Sequence, residues 1–251
     1  MMEEIRRIQL EVLNEIKRIA KKHQISYFLD GGTLLGAIVY GGYGPYDDDI
    51  DIGMVRNDYE RFFEICKKEL HPAFYVDEAR LNDDYHLVFM KVKKKGTTYL
   101  EKNGWSSEVF VDIFPYDFIS DNLLEFKVKK FIARQLKTII IIKKVPVLRK
   151  KRWLLIKTLF FRRNSYYQQE YRKWVEYKNK NNYLFNFAGE KKNKKELIPL
   201  DEILPTKEIL FEGHAHSVPY DEARFLTKIY GKNFLDDYLR KNRFEHYKNI
   251  K

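Results

Sequence analysis

Ile5, Ile8, Val12, Ile16 and Ile19 recur at intervals of three and four residues, an apolar stripe that predicts an amphipathic helix fading by His23. The period then changes. Ile25 to Leu29 reads as a short strand running into a Gly31-Gly32 turn, with a helix from Thr33 to Tyr40. A glycine-rich loop (Gly41, Gly42, Gly44, then Pro45) leads into Asp49 to Met54, where Asp alternates with Ile and predicts a strand with one polar and one buried face. Asn57 or Asp58 is the expected cap of a helix reaching about Leu70. Tyr85–Val92, Thr97–Leu100 and Val109–Phe114 are β-like in their branched and aromatic content. Beyond Asp121 the pattern turns helical and basic, with a break at Pro146, and the Asn- and Lys-rich stretch from Lys178 to Glu196 reads as a loop. Lys207 to Val218 is a strand or hairpin, and Asp221 to Tyr230 a helix closed by Gly231.

These elements describe an α/β (mixed-sheet) protein: a catalytic core over 1–120, a basic helical insertion over 121–196, and a C-terminal cap over 197–251 completing the same domain. With 44% hydrophobic and 16% aromatic residues, the chain has ample material for a core. The single cysteine, Cys66, falls in the apolar series Tyr59, Phe62, Phe63, Leu70; it reads as a buried structural thiol and excludes an internal disulfide or a cysteine zinc site. The start of the chain lacks the look of a leader peptide, and the apolar run Ile139–Ile142 is far short of the roughly 20 residues of a membrane span. A cytoplasmic location is the expectation.

Charge is segregated. Residues 125–163 hold 14 Lys and Arg against one acid in a chain of net charge +11, so the remainder is slightly acidic. Trp153, Phe160 and Phe161 among those cations predict either a solvated helical face or an amphipathic surface resting on anionic lipid. Aromatics among basic residues also suit base stacking, but no nucleic-acid-binding signature accompanies them, so no nucleic acid is expected.

Asp49 and Asp51 share one face of their strand and are placed to grip a hard cation, with Ile50 and Ile52 packing behind. An EF-hand loop would need a later glutamate at fixed spacing, which is missing. Asp47 and Asp48 read as turn-shaping residues. Asp112, embedded in Val109-Phe110-Val111-Asp112-Ile113-Phe114-Pro115, is costly to bury ionised; either a cation shared with Asp49 and Asp51 or hydrogen bonds at a turn near Pro115 would offset that cost. Gly31, Gly32 and Thr33 stand where backbone amides at a helix start cradle phosphate oxygens. Lys91, between Phe89 and Val92, is a diphosphate clamp or a solvated strand-end lysine, and Arg56 carries the same two readings. His86, His216 and His246 are the histidines to follow as proton carriers, each against a structural alternative.

The Gly-Gly-Thr turn, the Asp-hydrophobic-Asp strand and the later lone Asp resemble the signature of the nucleotidyltransferase superfamily with its polymerase-beta-like fold. More narrowly, Gly32-Thr33-Leu34-Leu35-Gly36-Ala37, Pro45-Tyr46-Asp47-Asp48-Asp49-Ile50-Asp51-Ile52, Arg56-Asn57-Asp58-Tyr59 and Val111-Asp112-Ile113-Phe114-Pro115-Tyr116-Asp117 resemble the LicD family, related to fukutin and fukutin-related protein. Phe211-Glu212-Gly213, Val218-Pro219, Tyr230-Gly231 and Arg243 with His246 extend the likeness. The chain departs from it at Val39-Tyr40, where Arg-His is usual, and at Tyr46, usually Trp.

The resemblance implies transfer of a phospho-alcohol, typically phosphocholine from CDP-choline, to a sugar hydroxyl of a cell-surface polysaccharide, teichoic acid or lipopolysaccharide precursor. CMP would leave. Asp49, Asp51 and Asp112 would hold Mg²⁺ (or Mn²⁺), one ion or two; Gly31, Gly32, Thr33, Lys91 and Arg56 would hold the donor; and Asp112 or a histidine would take the acceptor's proton. The resemblance implies a CDP-alcohol donor and a glycan acceptor as partners; the basic segment 125–163 itself points to a membrane inner face, where a lipid-linked acceptor would be met. The alternatives are another donor such as CDP-ribitol, a true nucleotidyltransferase releasing pyrophosphate, or a glycosyltransferase.

Overall fold

The computed structural model describes residues 2–45, 47–100, 106–120, 122–144, 163–176, 181–189 and 197–240. Tyr46, the break at Pro146, the aromatic-basic stretch 153–161, most of the loop 178–196, Arg243 and His246 lie outside the described residues.

The apolar stripe forms α1 (Met2–Lys22), with Glu3 and Glu4 in its first turn and Lys21 and Lys22 in its last, each end complementing the helix dipole. A seven-stranded mixed sheet carries the core in the order β1 (Phe28–Leu29), β2 (Asp51–Val55), β7 (Phe110–Phe118), β4 (Met90–Lys94), β3 (Phe74–Asp77); β8 (Tyr183–Phe185) joins the far end of β7, and β9 (Ile198–Pro199) joins β8. β5 (Tyr99–Leu100) and β6 (Ser106–Ser107) pair as a separate ribbon. Only β2 and β7 run parallel within the sheet; the other pairs are antiparallel. α2 (Gly31–Tyr40) and α3 (Arg56–Glu69) flank β2, and α4 (Leu123–Lys144) packs on α5 (Asn164–Val175). The chain then runs through α6 (Leu200–Ile203), the hairpin of β10 (Lys207–Phe211) and β11 (His214–Val218), and α7 (Glu222–Tyr230).

Strand alternation separates two faces. Ile52, Met54, Val111, Ile113, Met90 and Val92 point to one and join Val12, Ile16, Phe62 and Phe63 of α1 and α3 in the main core. Cys66 is in that core, and burial raises its thiol pKa, as expected for an inert structural cysteine. On the opposite face Phe28 meets Tyr116 and Phe225 of α7 edge to face at 5.1 and 5.6 Å, so α7 is locked over the start of the sheet.

Several local expectations change. Gly31-Gly32 is the first turn of α2 rather than a turn before it, because Asp30 caps the helix: its carboxylate accepts from Gly31 N and its carbonyl from Leu34 N. Neither Asn57 nor Asp58 caps α3, which follows β2 without a break; Asp58 instead accepts from Ser26 N and Arg61. The strand expected from Tyr85 begins only at Met90. β7 runs on through Pro115. Asp112 N bonds to Ile50 O of the β2 chain, so by alternation the missing N–H of Pro115 faces the other side, beyond Met90 where β4 has ended. Lys207–Val218 is a hairpin, turned by Glu212 and Gly213, both at positive φ.

Candidate active site

Register, not sequence distance, builds the site. Asp51 of β2 pairs with Asp112 of β7, Asp112 pairs with Lys91 of β4, and Lys91 pairs with Asp77 of β3. Asp30, one residue past β1, extends the row by donating its N–H to Asp51 O at 2.9 Å. At about 4.8 Å between strands, Asp30, Asp51, Asp112, Lys91 and Asp77 form one transverse line on one face. Three neighbouring carboxylates then stand next to a single ammonium.

Lys91 is buried, its Nζ 3.2 Å from Asp112 Oδ1 and 3.2 Å from the Phe110 ring centroid. The contact with Asp112 is an ion pair without hydrogen-bond geometry. Asp30 is engaged from two sides, by Gly31 N at 2.7 Å and by the Tyr116 hydroxyl at 2.7 Å. Tyr116 reaches it over Gly53, where a Cβ would fall 2.4 Å from Phe28 and 2.9 Å from Tyr116. Gly31 is required in the same way: its φ is +56°, and a Cβ there would lie 3.1 Å from Asp51 Oδ2 and 3.7 Å from the Tyr230 hydroxyl. Thr33 is buried, and its hydroxyl accepts from Asp51 N at 2.9 Å. The start of α2 therefore braces the Asp51 backbone, with the positive end of its dipole beside the acids.

The acidic loop is positioned by α1. Arg6 donates to Gly44 O and Asp47 O at 2.9 and 2.8 Å, and Gln9 to Asp48 O at 2.8 Å while accepting from Tyr43. From the other end of the chain, the Tyr238 hydroxyl donates to Asp47 Oδ2 at 3.2 Å, and burial together with Asp30, Asp51 and Asp47 pushes the Tyr230 hydroxyl pKa up. Sequence reasoning missed Tyr116, Tyr230 and Tyr238 as wall residues. Tyr116 and Tyr230 stand out only inside the motifs of the family likeness, nothing local marks Tyr238 among 18 tyrosines, and the place of all three in the wall comes from the fold.

The structure thus brings together Asp51, Asp112, Lys91, Gly31 and Thr33, with Gly32 in the same helix turn. Asp49 is exposed and precedes β2, and among the described residues no three His, Cys, Asp or Glu side chains are grouped as a metal cage. Arg56 is not brought to the row. Asp117 is five residues past Asp112, hence on the opposite face, and its carboxylate receives Arg56 Nε and Nη2 at 2.6 and 3.1 Å, with Glu60 on Nη1 at 3.0 Å. A cleft of about 390 Å³ between α3 and α5 opens at Arg56, Glu60, Arg80 and Arg172, away from the acidic row.

His216 is a structural histidine. It is wholly buried, its Nδ1 is 3.0 Å from the Tyr27 hydroxyl, and burial with nearby Lys17 lowers its pKa to about 4. The unfolded chain takes up this proton near pH 6.5 and the folded chain only near 4, so stability is lost as pH falls through that window. Urea unfolding at pH 7 and pH 5 should show a loss about 2 kcal/mol larger for the wild type than for His216→Phe; equal losses would refute the assignment.

The described structure is thus a mixed α/β sheet with an acidic row beside a helix that opens on two glycines. Residues 24–140, which contain every member of the row, match the family model described as LicD/FKTN/FKRP, nucleotidyltransferase domain. The chain is 36% identical over 109 residues to the lipopolysaccharide cholinephosphotransferase LicD of Haemophilus influenzae, covering 43% of this chain and 41% of that protein. It is 30% identical over 121 residues to an uncharacterised protein of Rickettsia typhi, covering 48% of this chain and 38% of the relative. The match thus spans about two fifths of each of these relatives.

Proposed function

We propose that this protein is a metal-dependent transferase that moves a phospho-alcohol, foremost phosphocholine from CDP-choline, to a sugar hydroxyl of a surface-glycan precursor, and that its sheet is a nucleotidyltransferase core carrying a basic helical insertion and a C-terminal cap. The observation that carries this reading is the Asp51–Asp112–Lys91 row, set inside the LicD-family segment. The name of the Haemophilus relative supports choline phosphate and lipopolysaccharide as the first chemistry to test.

The donor set fits Mg²⁺. Two carboxylates from register-paired strands offer only oxygen ligands, and Mg²⁺ characteristically takes one or two carboxylates and completes its shell with water and substrate phosphate, so a preformed three-acid cage is not needed. Asp51 and Asp112 would hold the ion, with exposed Asp49 two residues upstream as the further ligand. When bound, the ion neutralises negative charge on the diphosphate as CMP departs.

The remaining roles belong to side chains. Lys91, desolvated and aligned by Asp112 and Phe110, would present its ammonium to the diphosphate. The acceptor oxygen bonds to the phosphorus that carries the alcohol, the bond from that phosphorus to CMP breaks, and the acceptor proton passes to Asp112. Thr33 and the Asp30 cap keep Asp51 and the start of α2 in fixed relation through this change.

Phosphorus NMR of the purified protein with Mg²⁺ and CDP-choline, with and without a glycan acceptor, tests the reading. CMP formed only with acceptor is expected. Consumption of CDP-ribitol instead moves the donor while keeping the reaction, whereas pyrophosphate released from a nucleoside triphosphate, or inertness of every cytidine donor, overturns it.

A further inference from the structure

α4 has two contrasting sides. Phe126, Ala133 and Ile140 are buried and cluster with Tyr167, Tyr171 and Val175 of α5. On the other side Leu124, Val128 and Phe131, spaced by four and three residues, are left in solvent, with Leu124 70% and Phe131 64% exposed and Leu123 beside them at 59%. One ridge of large apolar side chains thus runs along the outer face of the first half of the helix.

The cations of α4 divide in the same way. Lys137 is drawn inward, donating to Ala188 O and Gly189 O; Lys129 pairs with Glu125 at 3.5 Å; and Lys130 lies 4.7 Å from the Phe185 ring centroid. Lys127 and Arg134 remain exposed, one helical step from the ridge. Glu125 is the only acid of the helix, and the sequence that continues from 143 to 163 adds nine Lys and Arg with no acid.

We propose that this outer face of α4 rests on an anionic lipid surface, with Leu124, Val128 and Phe131 entering the interface and Lys127 and Arg134 meeting the headgroups. A second copy of the chain would bring the same positive charge against itself, whereas anionic lipid accommodates the apolar ridge and its cationic flank together. No helix among the described residues is long and apolar enough to cross a membrane, so this contact is peripheral for the described part of the chain. The inference goes beyond the transfer reaction, and its test uses neither donor nor metal.

The full chain should float with vesicles of phosphatidylcholine and phosphatidylglycerol and not with phosphatidylcholine alone. Leu124→Ser/Phe131→Ser should lower the partition coefficient at least about tenfold with an unchanged melting temperature, both sites being exposed. Lys127→Ser/Arg134→Ser should weaken binding and flatten its salt dependence. Failure of the wild type to bind, or full binding by the apolar double variant, overturns the proposal. A wild-type dimer in sedimentation that becomes a monomer in the Leu124→Ser/Phe131→Ser variant does so too, because a second copy would then cover the ridge.

Discussion

Asp51→Asn is expected to lower CMP release from CDP-choline by on the order of 10³-fold while leaving the melting temperature unchanged or raised by roughly 2 °C. The two halves of this result come from one geometry. Asp51 has Asp30 on one side and Asp112 on the other, and Lys91 is ion-paired two strands away to Asp112 rather than to Asp51. Without a bound cation, Asp51 therefore adds like charge to a crowded row, and neutralising it relieves repulsion. Its backbone anchors, Asp30 N to Asp51 O and Asp51 N to Thr33 Oγ1, do not depend on the carboxylate. Under the proposed function, the same carboxylate would be the ligand the reaction needs once Mg²⁺ and donor are bound. Parallel assays of turnover and thermal unfolding decide the matter. Retained turnover would remove Asp51 from the chemistry, and collapse of the fold would make its role structural.

Arg56→Met or Asp117→Leu alone should destabilise the protein by about 3–5 kcal/mol, whereas the double variant should regain most of that loss. Both side chains are buried, and their fork-to-fork contact at 2.6 and 3.1 Å is the main compensation for two desolvated charges. Burial opposes the charge on Arg56, and the adjacent Asp117 carboxylate more than restores it, so the guanidinium stays protonated. Removing one partner strands the other; removing both substitutes packing for an ion pair. Urea unfolding of the two single variants and the double measures this. A further readout separates a structural from a donor-binding Arg56: at a temperature where Arg56→Met is folded, the KM for the donor should match the wild type, and a large rise in KM would return Arg56 to the site.

The contrast between Asp51 and Arg56 shows what was legible. Composition and alternation point to Asp49, Asp51 and Asp112, and two of them are neighbours across β2 and β7. Lys91 was ambiguous because nothing within a few residues distinguishes a clamp from a solvated strand end. Its pairing with Asp112 depends on the antiparallel register of β4 on β7. Arg56 was ambiguous for the same reason, and there the answer falls on the other face, because its partner Asp117 is an odd number of residues from Asp112. The strand at Phe74–Asp77, which places Asp77 opposite Lys91, is not legible in the sequence, since four residues carry too little periodicity to stand out.

What the sequence by itself determined is local: the amphipathic stripe of α1, the Asp–Ile alternation that turns Asp51 from Ile52, the Gly231 stop of α7, and the buried thiol of Cys66. Each depends on residues within one or two turns, where period and capping chemistry suffice. Only the tertiary structure decided that Asp30, Asp51, Asp112 and Lys91 stand in one line, that Thr33 anchors Asp51, and that Tyr230 and Tyr238 close over the acids from the far end of the chain. Those are contacts between elements tens to nearly two hundred residues apart. Strand order and register set them, and a one-residue slip, which short-range periodicity cannot detect, would send each side chain to the opposite face.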